Sequence, residues 1–205
     1  CWVRHGLGGY VPQILNYAIA YIDGWSEFSL AQSLHRVRLI GHVMELEIMR
    51  QTYLDMAIKM AELGSEALQA TYRHSRQFLR GVTDFDDEGN YAWKRGAYAA
   101  SAYQFSEMAA PHKHLKDYNK VLHGEHVIPL SMVFKRWLEL IDEGVSSEDQ
   151  RAFLEHHLEV VWITVAEQQK LDRELKLKSK MPEGWTWNES KYTRLEFAEI
   201  NLEIR

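Results

Sequence analysis

Glu125 and His126 stand side by side in the run Val121-Leu122-His123-Gly124-Glu125-His126-Val127-Ile128-Pro129-Leu130-Ser131, with His123 three residues before His126. The segment reads as short and extended, in a chain whose other patterns are mostly helical. Neighbouring residues of a strand point to opposite faces. At a strand end or a bulge, however, an acid and the next histidine can serve one site. The carboxylate then holds a divalent cation while the imidazole faces a water molecule. A neutral imidazole, with an ordinary pKa of about 6.5, suits the role of general base at neutral pH. A cation beside it stabilises charge on a phosphate and on its leaving oxygen. These residue types point to metal-assisted hydrolysis.

Further histidines lie close in sequence. His112, His114, His123 and His126 could assemble a site of their own, and clustered imidazoles favour a transition metal such as zinc. The plainer reading is a set of polar residues contacting carbonyls at helix ends. His156 and His157 come just before a second apolar run, Leu158 to Ile163, whose β-branched and aromatic residues mark a short strand. Thr164-x-x-Glu167 is a capping box, so a helix from Val165 to about Lys176 follows directly. The order is strand, insertion, strand, helix, and two strands with a helix can clamp one metal ion.

Glu125-His126-Val127-Ile128-Pro129-Leu130-Ser131 resembles the acid-His-hydrophobic-hydrophobic-Pro strand of the HNH (His-Me finger) nucleases. His157 to Gln168 is similar to the second half of that motif, so the resemblance spans residues 121–175. It implies a ββα unit that hydrolyses phosphodiester bonds of nucleic acid. By the same resemblance Glu125 is a metal ligand, His126 the general base, and His157 the middle residue that orients the base or its loop. The last ligand position falls on Gln168 or Gln169, where the family usually has His or Asn. The helical insertion 132–156 is longer than usual, and no paired zinc-binding cysteines are present. The implied cofactor is a divalent cation, magnesium or manganese before zinc, with His123 as a further donor. Lys113, Lys116, Lys120, Lys135 and Arg136 flank the motif and suit contacts to phosphates. DNA is expected before RNA.

The totals bound these readings. A chain of 205 residues and 24.0 kDa allows one domain with a real core, or a domain plus an appendage. A net charge of -5 and a pI of about 6.1 are not the balance of a protein that coats nucleic acid. A local basic patch stays compatible, because field depends on distribution. The single cysteine, Cys1, allows no internal disulfide and suggests a reducing, cytoplasmic setting. Ile14 to Ile22 is too short to span a bilayer, so no membrane association is expected. There is no signal-peptide pattern, and a first residue other than Met suggests a fragment or a processed chain.

The elements that position the motif read as mainly α: a helical N-terminal half, then the small ββα-like unit with its helical insertion. The expected divisions are a helical module at 1–110, the HNH-like unit at 111–185, and a tail or helix at 186–205. Apolar periodicity predicts a long helix from about Leu30 to Leu63, ended by Gly64. Ser65 to Arg80 reads as a second helix closed by Gly81. Its Arg73, Arg76 and Arg80 form either a solvated face or a phosphate-facing strip. Thr83 to Asn90 reads as an acidic surface loop. Counting twelve from Asp84 reaches Arg95, which excludes a calcium loop of the EF-hand kind. Tyr91 to Ala109 is an expected aromatic-rich helix stopped by Pro111, and Lys113 to Leu122 a short one. Helices are also predicted for Met132 to Ile141 and from Ser146 to about His157. Two other functional classes stay open. One is a catalytically degenerate HNH-like protein that binds a partner. The other is an all-helical assembly protein or homo-oligomer, with contacts through Trp93, Trp137 or Trp162.

Overall fold

A computed structural model of the chain describes residues 46–84, 103–112 and 120–203. By its contacts the chain divides into two compact units, Cys1–His42 and Val43–Arg205, and all described residues belong to the second. The described part is 56% helical, with seven α-helices and one three-stranded mixed sheet, so it is mainly α.

Helix α1 spans Leu46–Ala61 and buries Leu54, Ala57 and Ala61, a three- and four-residue spacing that makes one apolar stripe. Gly64 follows at φ 86°, a left-handed turn in which a side chain is disfavoured. The single helix expected over Ser65 to Arg80 is two, α2 (Ser65–Ala70) and α3 (Tyr72–Gly81). The break is at Thr71, whose hydroxyl donates to the carbonyl of Ala67 at 2.8 Å and lies 3.0 Å from the Ser75 hydroxyl. A side chain that bonds the local backbone competes with the helix there. Gly81 does not stop α3 but is its last residue. It is needed for packing, since a Cβ there would overlap the Tyr53 ring. Asp84, expected on a surface loop, is buried and paired with Arg80 at 3.2 Å. The rest of that loop lies outside the described residues.

Helices α4 (Leu130–Asp142) and α5 (Ser147–His157) form the predicted insertion. Ser146 caps α5 by accepting from the Asp149 amide, and Gly144 ends the preceding turn at φ 71°. Val133, Phe134 and Trp137 of α4 share one core with Leu154 of α5, Leu54 and Ala57 of α1, and Leu79 of α3. The early helices and the insertion are thus welded by apolar contact.

The sheet has the order β1-β3-β2. Strand β1 (Gln104–Phe105) runs parallel to β3 (Val160–Thr164), and β2 (Leu122–His126) runs antiparallel to it. The helix expected over Tyr91 to Ala109 is therefore replaced at its end by strand and turn. Its earlier residues, Trp93 included, lie outside the described set. Pro111 sits in a short 3-10 turn, Ala110–His112, rather than ending a helix. One sheet face carries Leu122, Val160 and Trp162, packed with Phe105 and Tyr103. The other carries Val161 and Ile163, packed with Leu171, Leu177 and Leu195. Trp137 and Trp162 are buried, so they are core residues and not the interface contacts envisaged for an assembly protein.

Helix α6 (Val165–Gln169) opens on the predicted capping box and passes into a π turn over Lys170–Glu174. A last helix, α7 (Thr193–Phe197), packs Leu195 against the sheet. The chain then runs beside β1, where Glu203 donates its amide to the Phe105 carbonyl at 2.9 Å. No helix among the described residues is long and apolar enough to cross a membrane.

Candidate functional site around His126

The strand register sorts the motif residues. His123 and Glu125 face Ile163 and Val161 across the ladder, so both lie on the face covered by the π turn, the segment after it and α7. Gly124 and His126 face Trp162 and Val160 on the opposite side. Adjacent acid and histidine therefore point apart, as strand alternation requires.

Glu125 is committed to its neighbours. Its carboxylate receives the Arg194 guanidinium at 2.5 Å and lies 3.2 Å from Nε2 of His123. Arg194 is wholly buried and also donates to the carbonyl oxygens of His126 and Leu177. Burial raises the Glu125 pKa, but His123 and Arg194 together outweigh it and hold the carboxyl below its ordinary 4.5.

His126 is the opposite case. The residue keeps partial exposure, yet its Nε2 is out of reach of solvent and has no hydrogen-bond partner among the described residues. Burial, opposed by the Glu125 charge and reinforced by Arg80, Arg194 and Arg76, pushes its pKa down to about 4. The ring is therefore neutral at pH 7. Arg76 and Arg80 come from α3, whose end lies against the same sheet face. Tyr103 donates its hydroxyl to the Thr83 carbonyl at 2.9 Å and meets the Trp162 ring edge-on at 6.2 Å. Leu79 and Val82 share a core with Ile128, two residues beyond His126.

The remaining expected residues are dispersed. His157 is buried at the end of α5, its Nδ1 2.8 Å from the Phe153 carbonyl, and rings of Phe153, His156 and Trp187 surround it. Burial, the largest influence, lowers its pKa despite the bond to Phe153. Gln168 donates to Asp172 on its own helical turn. Lys113 and Lys116 lie outside the described residues, as does His114. Lys120 is exposed. Lys135 lies 4.0 Å from Glu139, and Arg136 is held by Glu139 at 3.1 Å and Glu143 at 2.7 Å, so the α4 cations are matched by acids of their own helix.

Among the described residues no group of three or more His, Cys, Asp or Glu side chains is placed to hold a metal ion. His123 and Glu125 make a pair, and a dication there would face the charge of Arg194. The described side chains do not fit the expected metal centre. Arg194 escaped the sequence reading, since nothing local marks an arginine of the C-terminal tail as buried. Arg76 and Arg80 were visible as a basic strip, but their electrostatic influence on His126 was not. In comparisons with protein-family models, curated proteins and solved structures, nothing matched the chain.

Proposed function

We propose that the chain hydrolyses phosphodiester bonds of nucleic acid, with His126 as general base. The observation that supports this most is a neutral imidazole whose Nε2 has no hydrogen-bond partner among the described residues. Buried polar atoms are nearly always satisfied, and a group that arrives with substrate is one explanation of an exception beside a candidate site. In the proposed step, which requires substrate binding to open a path to Nε2, a water molecule attacks phosphorus and gives its proton to that nitrogen. The P–O bond to the leaving oxygen breaks, and that oxygen takes a proton from solvent while His126 returns its own. The strand–insertion–strand–helix order of β2, α4, α5, β3 and α6 is compatible with an HNH-like ββα arrangement. No step is assigned to a metal. The cation dependence implied by the resemblance is a proposal that the assay addresses separately.

The test is cleavage of plasmid DNA and of total RNA by wild type and His126→Ala. Each is run with Mg²⁺, Mn²⁺, Zn²⁺ or a chelator. Cutting that disappears in a folded His126→Ala variant supports the reading, and the chelator lane decides whether a cation is required. A second reading, a degenerate relative acting by binding a nucleic acid or protein partner, is favoured by the closed Glu125–Arg194 pair and by Gln168 being tied to Asp172. It expects no cutting under any condition and partner binding unaffected by His126→Ala.

A further inference from the structure

We propose that His157 is an acid-sensitive latch: its imidazole holds the strap 182–191 on the end of α5, and protonation of that ring lets the strap go. The latch is independent of the phosphodiesterase reading. The strap contains turns but no helix or strand. Its ends are anchored, by buried Met181 before it and by buried Arg194 and Leu195 after it. Between them the backbone bonds stay local, from the Trp185 amide to Pro182 at 3.2 Å and from the Glu189 amide to Thr186 at 3.0 Å. Among the described contacts, side chains join the strap to the rest of the fold. Trp185 and Trp187 pack on the main core. The Trp187 ring lies 5.3 Å from Phe153, 4.9 Å from Trp185 and, edge-on, 5.2 Å from His157. Local backbone bonding and a small apolar contact mark a segment that can open by itself.

His157 sits in the middle of that contact. Its ring is buried, 4.4 Å from Phe153 and 4.7 Å from His156, with Nδ1 2.8 Å from the Phe153 carbonyl. A neutral ring can donate to that carbonyl, whereas a charged one would be stripped of water among aromatic rings. Neighbouring charges add to that cost. Protonated His156 of α5 and Lys191 of the strap both oppose a cation here. With burial, the largest influence, they outweigh the backbone bonds to Phe153 and Trp187 that favour the imidazolium. Glu159, ahead of β3, is taken up by Lys191 at 2.6 Å and by the Tyr192 hydroxyl at 3.0 Å. Arg151 and Glu155, on α5 itself, are turned to Asp55 and Gln51 of α1. Release of the strap exposes the imidazolium to water. Lys191, which also donates to the His156 carbonyl at 3.1 Å, leaves with it. The latched ring therefore binds a proton less readily than the released one, so opening is favoured as pH falls below about 6.5.

The experiment is amide hydrogen exchange of the full chain from pH 7 to 5, read by mass spectrometry and corrected for the intrinsic pH dependence of exchange. Wild type is run beside His157→Asn, which keeps a donor for the Phe153 carbonyl but takes no proton. Wild-type amides of 182–191 should lose protection below about pH 6.5, by up to about tenfold per pH unit, ahead of those of β3. His157→Asn should flatten the profile of the strap and leave that of β3 as it was. An acid loss in the strap that is the same in His157→Asn overturns the latch. If that variant does not fold, wild type decides: strap protection that stays constant over this range, or falls only in step with β3, overturns it.

Discussion

Arg194 reaches back across the fold to Glu125, 69 residues earlier, and closes a buried ion pair at 2.5 Å. The same guanidinium takes the carbonyls of His126 and Leu177, so one side chain ties α7 and the segment after the π turn to the end of β2. Its Nε has no partner among the described residues, so within that part the network is not fully satisfied. Breaking one half of such a pair leaves the other charge buried and alone. Arg194→Met is expected to cost about 3–5 kcal/mol of stability, and Glu125→Gln less, because the amide oxygen still accepts. Urea denaturation checks both. Equal losses for the two variants would show that the remaining acceptor does not offset the lost charge, and so that the charge of Glu125 itself carries the pair.

Stability should also fall on mild acidification, in a window set by His126. Its folded pKa is about 4 against an ordinary 6.5, so between these values the unfolded chain binds more protons than the folded one. Stability is therefore complete above about pH 6.5 and declines toward pH 4, by on the order of 3 kcal/mol from this group. His157 is shifted in the same direction and adds to the slope. Glu125, with a depressed pKa, acts lower: its contribution is present above 4.5 and is lost as pH falls further. Denaturation midpoints from pH 7 to 4 should drop more steeply for wild type than for His126→Asn. Parallel curves would contradict the burial of the imidazole.

What the sequence revealed was what short-range chemistry decides. The Ser146 cap and the Thr164–Glu167 box are closed within three residues, and both form as the residue types require. The β-branched run of β3 is equally plain, since a central strand buried on both faces reads as a continuous apolar stretch. The break at Thr71 was hidden because it depends on which bond a hydroxyl prefers. Strand β1 was hidden because its partner is distant: Gln104 pairs with Val161, and nothing in the aromatic stretch before it distinguishes a strand from a helix. In the candidate site the strand residues were legible by type. Their separation onto two faces decided which of them can act together, and the arginines that flank them come from α3 and α7.

Gly81 makes a prediction about packing rather than backbone freedom. It lies in α3 against the ring of Tyr53, a residue of α1 that borders the main core. Gly81→Ala adds a methyl where the ring already stands, so despite the better helix propensity of Ala it should destabilise by about 1–3 kcal/mol. Tyr53→Leu in the same chain should recover much of that loss by clearing the space. The comparison is of four thermal melts, and no recovery in the double variant would mean that the two residues do not compete for one volume.

Glu167 joins helix α6 to two other parts of the fold. Its carboxylate accepts from the Thr164 amide at 2.7 Å and from the Thr164 hydroxyl at 2.8 Å, and also from the Ser106 hydroxyl at 2.8 Å. Ser106 is itself wholly buried, next to β1. The acid therefore caps α6 and anchors the turn after β1 with one group. Glu167→Gln keeps an acceptor and should cost little, whereas Glu167→Ala removes the carboxylate half of the capping box and strands the Ser106 hydroxyl, for about 1–3 kcal/mol. Ser106→Ala alone should cost less than Glu167→Ala. In the Ser106→Ala background the cost of Glu167→Ala should shrink, because the hydroxyl that it would leave unpaired is gone. Additive losses in that double-mutant cycle would show that the cap and the anchor act independently.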